Sequence, residues 1–247
     1  MNTNILQNSA KRMPIALCLD VSPSMGMKKR IEHLNIAVKM FFKSLKDDPK
    51  VLSSAEIAIV CFSTGVVADR DFRYLDAFPI PRFAPVKKGR TNMAAGIQRA
   101  LEKIRDHKYI LDTSEIEYHV PFLIVITDGN PDNNDDKELL GKVVEELKEL
   151  GHLPESEQIV PIIVGVGDES DSDKLDEIAS GFAVKALRVN SLDEEENLFT
   201  DIFTFISKSV LYSVKGDRNA SEQIKATLAG YNQLQEQFEQ AKLRSVF

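Results

Sequence analysis

Residues 14–26 read PIALCLDVSPSMG, an apolar run that ends in one carboxylate and is followed by two serines at alternate positions. Asp20, Ser22 and Ser24 thus gather three short oxygen-bearing side chains on one tight stretch. Such a cluster suits a polar turn, a catalytic loop, or part of a cage for a hard metal ion. Two further stretches carry the same kind of side chain beside a predicted element. GRTNMAAG, residues 89–96, places Thr91 ahead of an amphipathic pattern, and ITDGNPD, residues 126–132, places Asp128 after an apolar run. Each also has an ordinary reading. Asp20, Ser22 or Ser24 can cap a helix that begins near Arg30, Thr91 is a credible N-cap, and Asp128-Gly129 makes a turn.

The elements that must position these residues alternate along the chain. Short runs rich in Ile, Val and Leu at Pro14–Leu19, Glu56–Phe62, Phe122–Thr127, Ile159–Val166 and Val184–Val189 predict strands covered on both faces. Amphipathic patterns at 31–45, 92–104, 136–150, 173–179 and 194–211 predict helices between and after them. The alternation gives an α/β fold: a Rossmann-like open twisted sheet, mostly parallel, with helices on both faces. Val66–Tyr74 follows its neighbour after only Ser63-Thr64-Gly65, too short for a parallel crossover, and is expected as an antiparallel edge strand. Phe78–Lys88, with Pro79, Pro81 and Pro85, reads as a loop. In open α/β sheets ligands sit outside the carboxyl ends of the strands where strand order reverses, so the loops holding Asp20, Thr91 and Asp128 can meet in one crevice.

At 247 residues the chain is at the upper end for one domain, and its 43% hydrophobic and 28% charged residues are those of a globular protein rather than a disordered one. A net charge of -7 gives no electrostatic reason to expect nucleic acid or an anionic membrane as partner. Met1–Arg12 is polar, and no apolar run approaches the roughly 18 residues that span a bilayer. A cytoplasmic location is expected, with Cys18 and Cys61 as buried, reduced thiols inside strands.

Other chemistries fit less well. An aspartyl-phosphate phosphatase using Asp20 as nucleophile needs an acid/base carboxylate two residues later, and that position is Ser22. Neither Ser22 nor Ser24 lies in a G-x-S-x-G elbow, and His33, His107, His119 and His152 fall outside the predicted crevice loops. Gly165-Val166-Gly167 reads as a turn rather than a phosphate cradle. The carboxylates Asp132, Asp135 and Asp136 are explained by a helix start, and GDESDSDK, residues 167–174, lacks the glycine and glutamate of a calcium loop. The chain is therefore read as not itself an enzyme. The phosphatase-like reading and a metal-independent structural scaffold stand as alternatives.

DVSPS matches the DxSxS motif of the von Willebrand factor A domain, and Thr91 and Asp128 fall where that family places its second and third metal loops. The resemblance runs from about Met13 to Lys215. Through LDVSPSM, GRTNMAAGI and ITDGNPD the sequence is most similar to bacterial intracellular members, the TerY-like group associated with tellurite resistance and stress operons. The resemblance implies a metal-ion-dependent adhesion site with Asp20, Ser22, Ser24, Thr91 and Asp128 as direct or water-mediated ligands. Hydroxyls and carboxylates are hard donors that suit Mg²⁺ or Mn²⁺, and Ca²⁺ less well. It further implies a protein partner that supplies an Asp or Glu carboxylate, such as a protein kinase or metal-dependent phosphatase encoded nearby.

Lys87, Lys88 and Arg90, with Asn92 and Asn130, are expected to form the rim that meets such a partner, the basic residues attracting an acidic loop. Past the family-like region, Asn219–Glu222 has capping-box spacing, and Ile224, Leu228, Tyr231, Leu234 and Phe238 then recur every three or four residues. That stripe suits docking on the chain's own domain or on a partner. The expected organisation is a tail over 1–12, the domain over 13–215 and an amphipathic helix over 216–247.

Overall fold

The structure, a computed structural model, describes residues 10–128, 134–154, 157–167, 172–180 and 185–189, together with 204, 206–211, 213, 214, 226, 229 and 230. The strands are β1 (Met13–Asp20), β2 (Ala55–Phe62), β3 (Val66–Tyr74), β4 (Phe122–Thr127), β5 (Val160–Val166) and β6 (Leu187–Val189). They form one sheet in the order β3-β2-β1-β4-β5-β6. Every pairing is parallel except β2 with β3, so the antiparallel edge strand stands where the short Ser63–Gly65 link requires it.

Each residue of β1, β2, β4 and β5 is buried, which is why these runs show so little polar alternation. β3 is exposed at every residue but the half-buried Phe72. Its acidic side chains meet the next helix instead: Arg99 Nε donates to Asp69 Oδ2 at 2.8 Å, and Lys103 pairs with Asp71. Such charges on an edge discourage pairing with another chain. Cys18 pairs in register with Val60, and Cys61 with Leu19. Alternate residues of a strand face opposite sides, so the two thiols lie on opposite faces of the sheet and remain free and buried.

The helices are α1 (Arg30–Lys46), α2 (Pro49–Ser54), α3 (Met93–Thr113), α4 (Asn134–His152) and α5 (Ser172–Ala179). α1 buries Ile31, Leu34, Val38, Phe41, Phe42 and Leu45, the three-or-four spacing of one apolar face. α2 was not expected, although Asp48-Pro49 carries its start: Asp48 Oδ1 accepts from Lys50 N at 2.9 Å and proline takes the first turn. α3 runs nine residues beyond the expected end at residue 104, to Thr113. Tyr109 and Ile110 there are 70% and 55% exposed, which breaks the amphipathic pattern. Residues 206–211, 213 and 214 are helical and place Ile206 and Val210 in the core. Residues 226, 229 and 230 are helical, while Ile224, Leu228, Tyr231, Leu234 and Phe238 lie outside the described residues.

Gly96 sets how closely α3 approaches β2. A Cβ there would lie 2.5 Å from Phe62 Cδ1. Gly96→Val is expected to destabilise the fold by about 1–3 kcal/mol through overpacking. Gly141→Ala, on α4 with no atom within 4 Å of the added carbon, should instead stabilise by about 0.5–1 kcal/mol. Urea denaturation of the two variants checks the pair, and equal midpoints would show that α3 yields freely.

Candidate metal centre

Strand order reverses between β1 and β4: β1 has β2 on one side and β4 on the other. The carboxyl ends of these two strands therefore open a crevice. Asp20 closes β1 and Asp128 directly follows β4, and both carboxylates are buried. Asp20 Oδ1 accepts from Ser22 N–H at 2.8 Å, and its Oδ2 accepts from the Thr127 hydroxyl at 2.7 Å. The Ser22 and Ser24 hydroxyls are 2.9 Å apart, and Ser24 Oγ donates to Asp128 Oδ1 at 2.8 Å. Four of the five residues expected as ligands thus form one continuous hydrogen-bonded cluster across the β1 and β4 loops.

Thr91 reaches the same end of the sheet through the exit of β2. Ser63 Oγ donates to the Arg90 carbonyl at 3.0 Å, Arg90 N–H to Thr64 Oγ1 at 2.9 Å, and Asn92 N–H to the Ser63 carbonyl at 2.6 Å. Thr91 is held buried between these anchors. Gly89 is needed beside them, since a Cβ would fall 2.7 Å from Ser63 Oγ. The N-cap of α3 is Asn92, whose Oδ1 accepts from Ala95 N–H at 2.9 Å, and not Thr91. The loop before it is strapped to the residue just past β1 by Val86 N–H, which donates to the Val21 carbonyl at 2.8 Å.

Among the described rim residues, Lys87, Lys88 and Arg90 are exposed and Asn92 is half-buried, while Asn130 lies outside the described residues. His107 sits at the opposite end of the sheet, 2.7 Å from Glu56 near the start of β2. His119 N–H donates to the Arg12 carbonyl at that same end. Neither ring belongs to the crevice. Asp20, Ser22 and Ser24 do not cap α1; a 3-10 segment, Pro23–Lys29, which includes Ser24, leads into it, and Lys29 occupies the cap position.

The sequence reading missed Arg30. Its guanidinium is fully buried, and Nη1 donates to Asp128 Oδ2 at 2.8 Å. Gly167, at φ +85, lies against the other side of the group, where a Cβ would stand 2.4 Å from Nη2 and 2.9 Å from Cζ. The signal was local charge. Lys28, Lys29 and Arg30 crowd a helix start, where the dipole favours anions, so their placement needed another cause.

Electrostatics and donor chemistry together fit a hard cation. Burial, reinforced by the nearby charge of Asp128, pushes the Asp20 carboxyl up to about 6. Arg30 offsets one of the two buried carboxylates, and among the described residues they and the adjacent hydroxyls offer the oxygen donors that Mg²⁺ or Mn²⁺ takes. Among the described residues no group of three or more His, Cys, Asp or Glu side chains is placed to hold a metal, so a soft or all-carboxylate site is not what these positions build.

The pilus adhesin SpaC of Lactobacillus rhamnosus GG, in its open conformation, superposes with a TM-score of 0.57 at 14% identity over 81% of this chain and 30% of the adhesin. Proximal thread matrix protein 1 of the mussel byssus, solved with a zinc-occupied metal-ion-dependent adhesion motif, gives 0.52 at 17% identity over 78% of this chain and 48% of its own. BatB of Bacteroides thetaiotaomicron gives 0.51 at 16% identity over 78% and 98% of the two chains. These likenesses establish the fold. The chain spans about a third of the adhesin and about half of the mussel protein. Comparison with curated proteins finds no match. The profile of the von Willebrand factor type A domain, by contrast, matches residues 15–202, three-quarters of the sequence and all six strands, and the chain belongs to that family.

Proposed function

We propose that the chain is a protein-binding adaptor whose crevice holds one divalent cation, Mg²⁺ or Mn²⁺ in preference to Ca²⁺, through Asp20, Ser22, Ser24, Thr91 and Asp128. The observation that carries this reading is the bonded run Asp20–Ser22–Ser24–Asp128 at the strand-order reversal. When bound, the ion supplies an electrophilic position that a carboxylate of a partner protein can fill. Ser22 and Ser24 present hydroxyls to it, Thr127 keeps Asp20 oriented, and Lys87, Lys88 and Arg90 steer an acidic partner loop toward it. In the von Willebrand factor A family such sites often serve protein binding. The metal of the mussel protein is zinc, so the identity of the ion here is itself part of the proposal.

The likeness of LDVSPSM, GRTNMAAGI and ITDGNPD to TerY-like members supports a cytoplasmic role in a bacterial stress, tellurite-resistance or defence pathway, with a kinase or metal-dependent phosphatase as partner. No helix among the described residues is long and apolar enough to cross a membrane. The domain is assigned to residues 13–215, with the segment 216–247 as a helix that docks on it or on the partner. The absence of an acid/base carboxylate at Ser22 supports a binding rather than a catalytic role.

Calorimetric titration with Mg²⁺, Mn²⁺ and Ca²⁺ tests the reading. About one site is expected in the wild type and none in Asp20→Ala. Thr91→Ala should weaken the partner complex by on the order of 1–3 kcal/mol, roughly 5- to 150-fold, with an unchanged circular dichroism spectrum. EDTA should release the partner from the wild type. Equal partner affinity in EDTA and Mg²⁺ would move the docking surface away from this crevice.

A further inference from the structure

Three separate features surround the Arg30 guanidinium. Lys28 and Lys29 immediately before it adopt left-handed backbone, φ 50 and 59, which non-glycine residues rarely do. Gly167, also at positive φ, leaves room for the group that a Cβ would fill. The group itself is fully buried and paired to Asp128 Oδ2 at 2.8 Å, while Oδ1 of that carboxylate accepts from the Ser24 hydroxyl. A strained entry, a glycine seat and a buried pair all serve to set one positive charge against one carboxylate of the crevice.

Charge counting over the described residues gives the consequence. Asp20 and Asp128 contribute two negative charges to the bonded cluster and Arg30 one positive, a net charge of about -1 for these three side chains when both carboxylates are ionised. Two carboxylates alone would balance a divalent ion. With the guanidinium present, the loaded centre is left with an excess positive charge. We propose that Arg30 is a resident counter-cation: it satisfies Asp128 before metal arrives, restrains the affinity for the ion, and leaves the loaded centre in need of an anion, which a partner carboxylate provides. The inference rests on the metal-site reading above. It adds that metal and carboxylate bind cooperatively, each raising the affinity of the other.

Two variants separate charge from geometry. Arg30→Gln keeps an amide donor for Asp128 Oδ2 without the charge, whereas Arg30→Lys keeps the charge without the planar fork. Calorimetry of Mn²⁺ binding to the full chain is expected to show Arg30→Gln binding at least about tenfold tighter than the wild type, and Arg30→Lys within about threefold of it. Arg30→Gln should also melt at lower temperature in EDTA. Equal affinity in Arg30→Gln would make the ion pair merely structural, and weaker affinity would make Arg30 a positioning residue for Asp128. Either result overturns the proposal. A measurement on the wild type alone avoids dependence on variant folding: Mn²⁺ should bind more tightly in acetate than in perchlorate at equal ionic strength, after allowance for the ion's own acetate complex. No gain in acetate also overturns it. If the wild type binds no Mn²⁺ at all, the metal reading itself falls and takes this inference with it, whereas ordinary wild-type binding with unaltered Arg30→Gln affinity removes the inference alone.

Discussion

Asp20→Asn is expected to be more stable than the wild type in EDTA at neutral pH, by up to about 3 kcal/mol, and to take up no divalent ion. Asp20 is fully buried, and its carboxyl is raised from 3.8 to about 6, first by burial and then by the charge of Asp128. A folded-state value above the unfolded one means that the native protein binds this proton more tightly. The stabilisation is complete below the unfolded value of 3.8 and is lost as pH rises through 6. Above pH 6 the metal-free wild type therefore bears the cost of an ionised, buried carboxylate, and the neutral amide does not. Asparagine keeps an acceptor for Ser22 N–H, and the Thr127 hydroxyl can turn to accept from the amide.

His119 acts in the opposite direction over the same window. Burial, then the charge of Lys11, pushes its imidazole down to about 4. A depressed histidine contributes stability that is present above 6.5 and lost as pH falls through 4. The wild-type profile should consequently be shallow, and the difference between wild type and Asp20→Asn isolates the carboxylate. That difference should be greatest above pH 6 and vanish below about pH 4. Denaturant titrations in EDTA across this range measure it. A variant less stable than the wild type at pH 7.5 would mean that Asp20 is satisfied by its hydrogen bonds alone.

The second large effect is expected at a residue with no side chain. Gly167→Ala should destabilise the protein by about 3 kcal/mol. Part of the loss is backbone strain, since φ +85 suits glycine. The rest falls on Arg30, whose Nη2 and Cζ would lie 2.4 Å and 2.9 Å from the new carbon. An exposed arginine would swing aside, but this one is fully buried and bonded to Asp128. It can move only by weakening a buried ion pair, and breaking such a pair outright costs about 3–5 kcal/mol. Thermal unfolding of Gly167→Ala beside Gly167→Ala/Arg30→Lys checks the account, because lysine lacks the planar guanidinium that the new carbon would strike and should recover part of the loss. Additive losses in the double variant would place the whole cost in the backbone.

The sheet and the turn after β1 were legible because their signals are short-range. Apolar runs without alternation gave β1, β2, β4 and β5, and the three-residue Ser63–Gly65 link gave the reversal of β3. DVSPS encodes its own geometry, since Ser22 N–H bonds back to Asp20 two residues away. Thr91 and Asp128 were found by a family pattern that pairs loops far apart in the chain. Arg30 had no such pattern: its partner is 98 residues away and its seat, Gly167, is farther still. A pairing of that kind is decided by how β4 and β5 lie beside β1, which no local window contains. The cap of α3 illustrates the same limit on a smaller scale. Thr91 and Asn92 both suit the position by type, and the bond from Asn92 N–H to Ser63 decides between them.

The placement of Cys18 and Cys61 on opposite faces of the sheet has a practical side. Thiol reagents attack the thiolate, and burial pushes Cys61 up to about 12 and Cys18 well above its usual range. At neutral pH the folded protein therefore offers maleimides almost nothing to alkylate, and the sequence holds no third cysteine. A cysteine introduced at exposed Arg90, one residue from Thr91, would be the single addressable handle on the molecule. A fluorophore attached there reports on arrivals at the crevice without background. The two native thiols, silent until β1 and β2 separate, become an internal clock for global opening, read by mass spectrometry from the same sample.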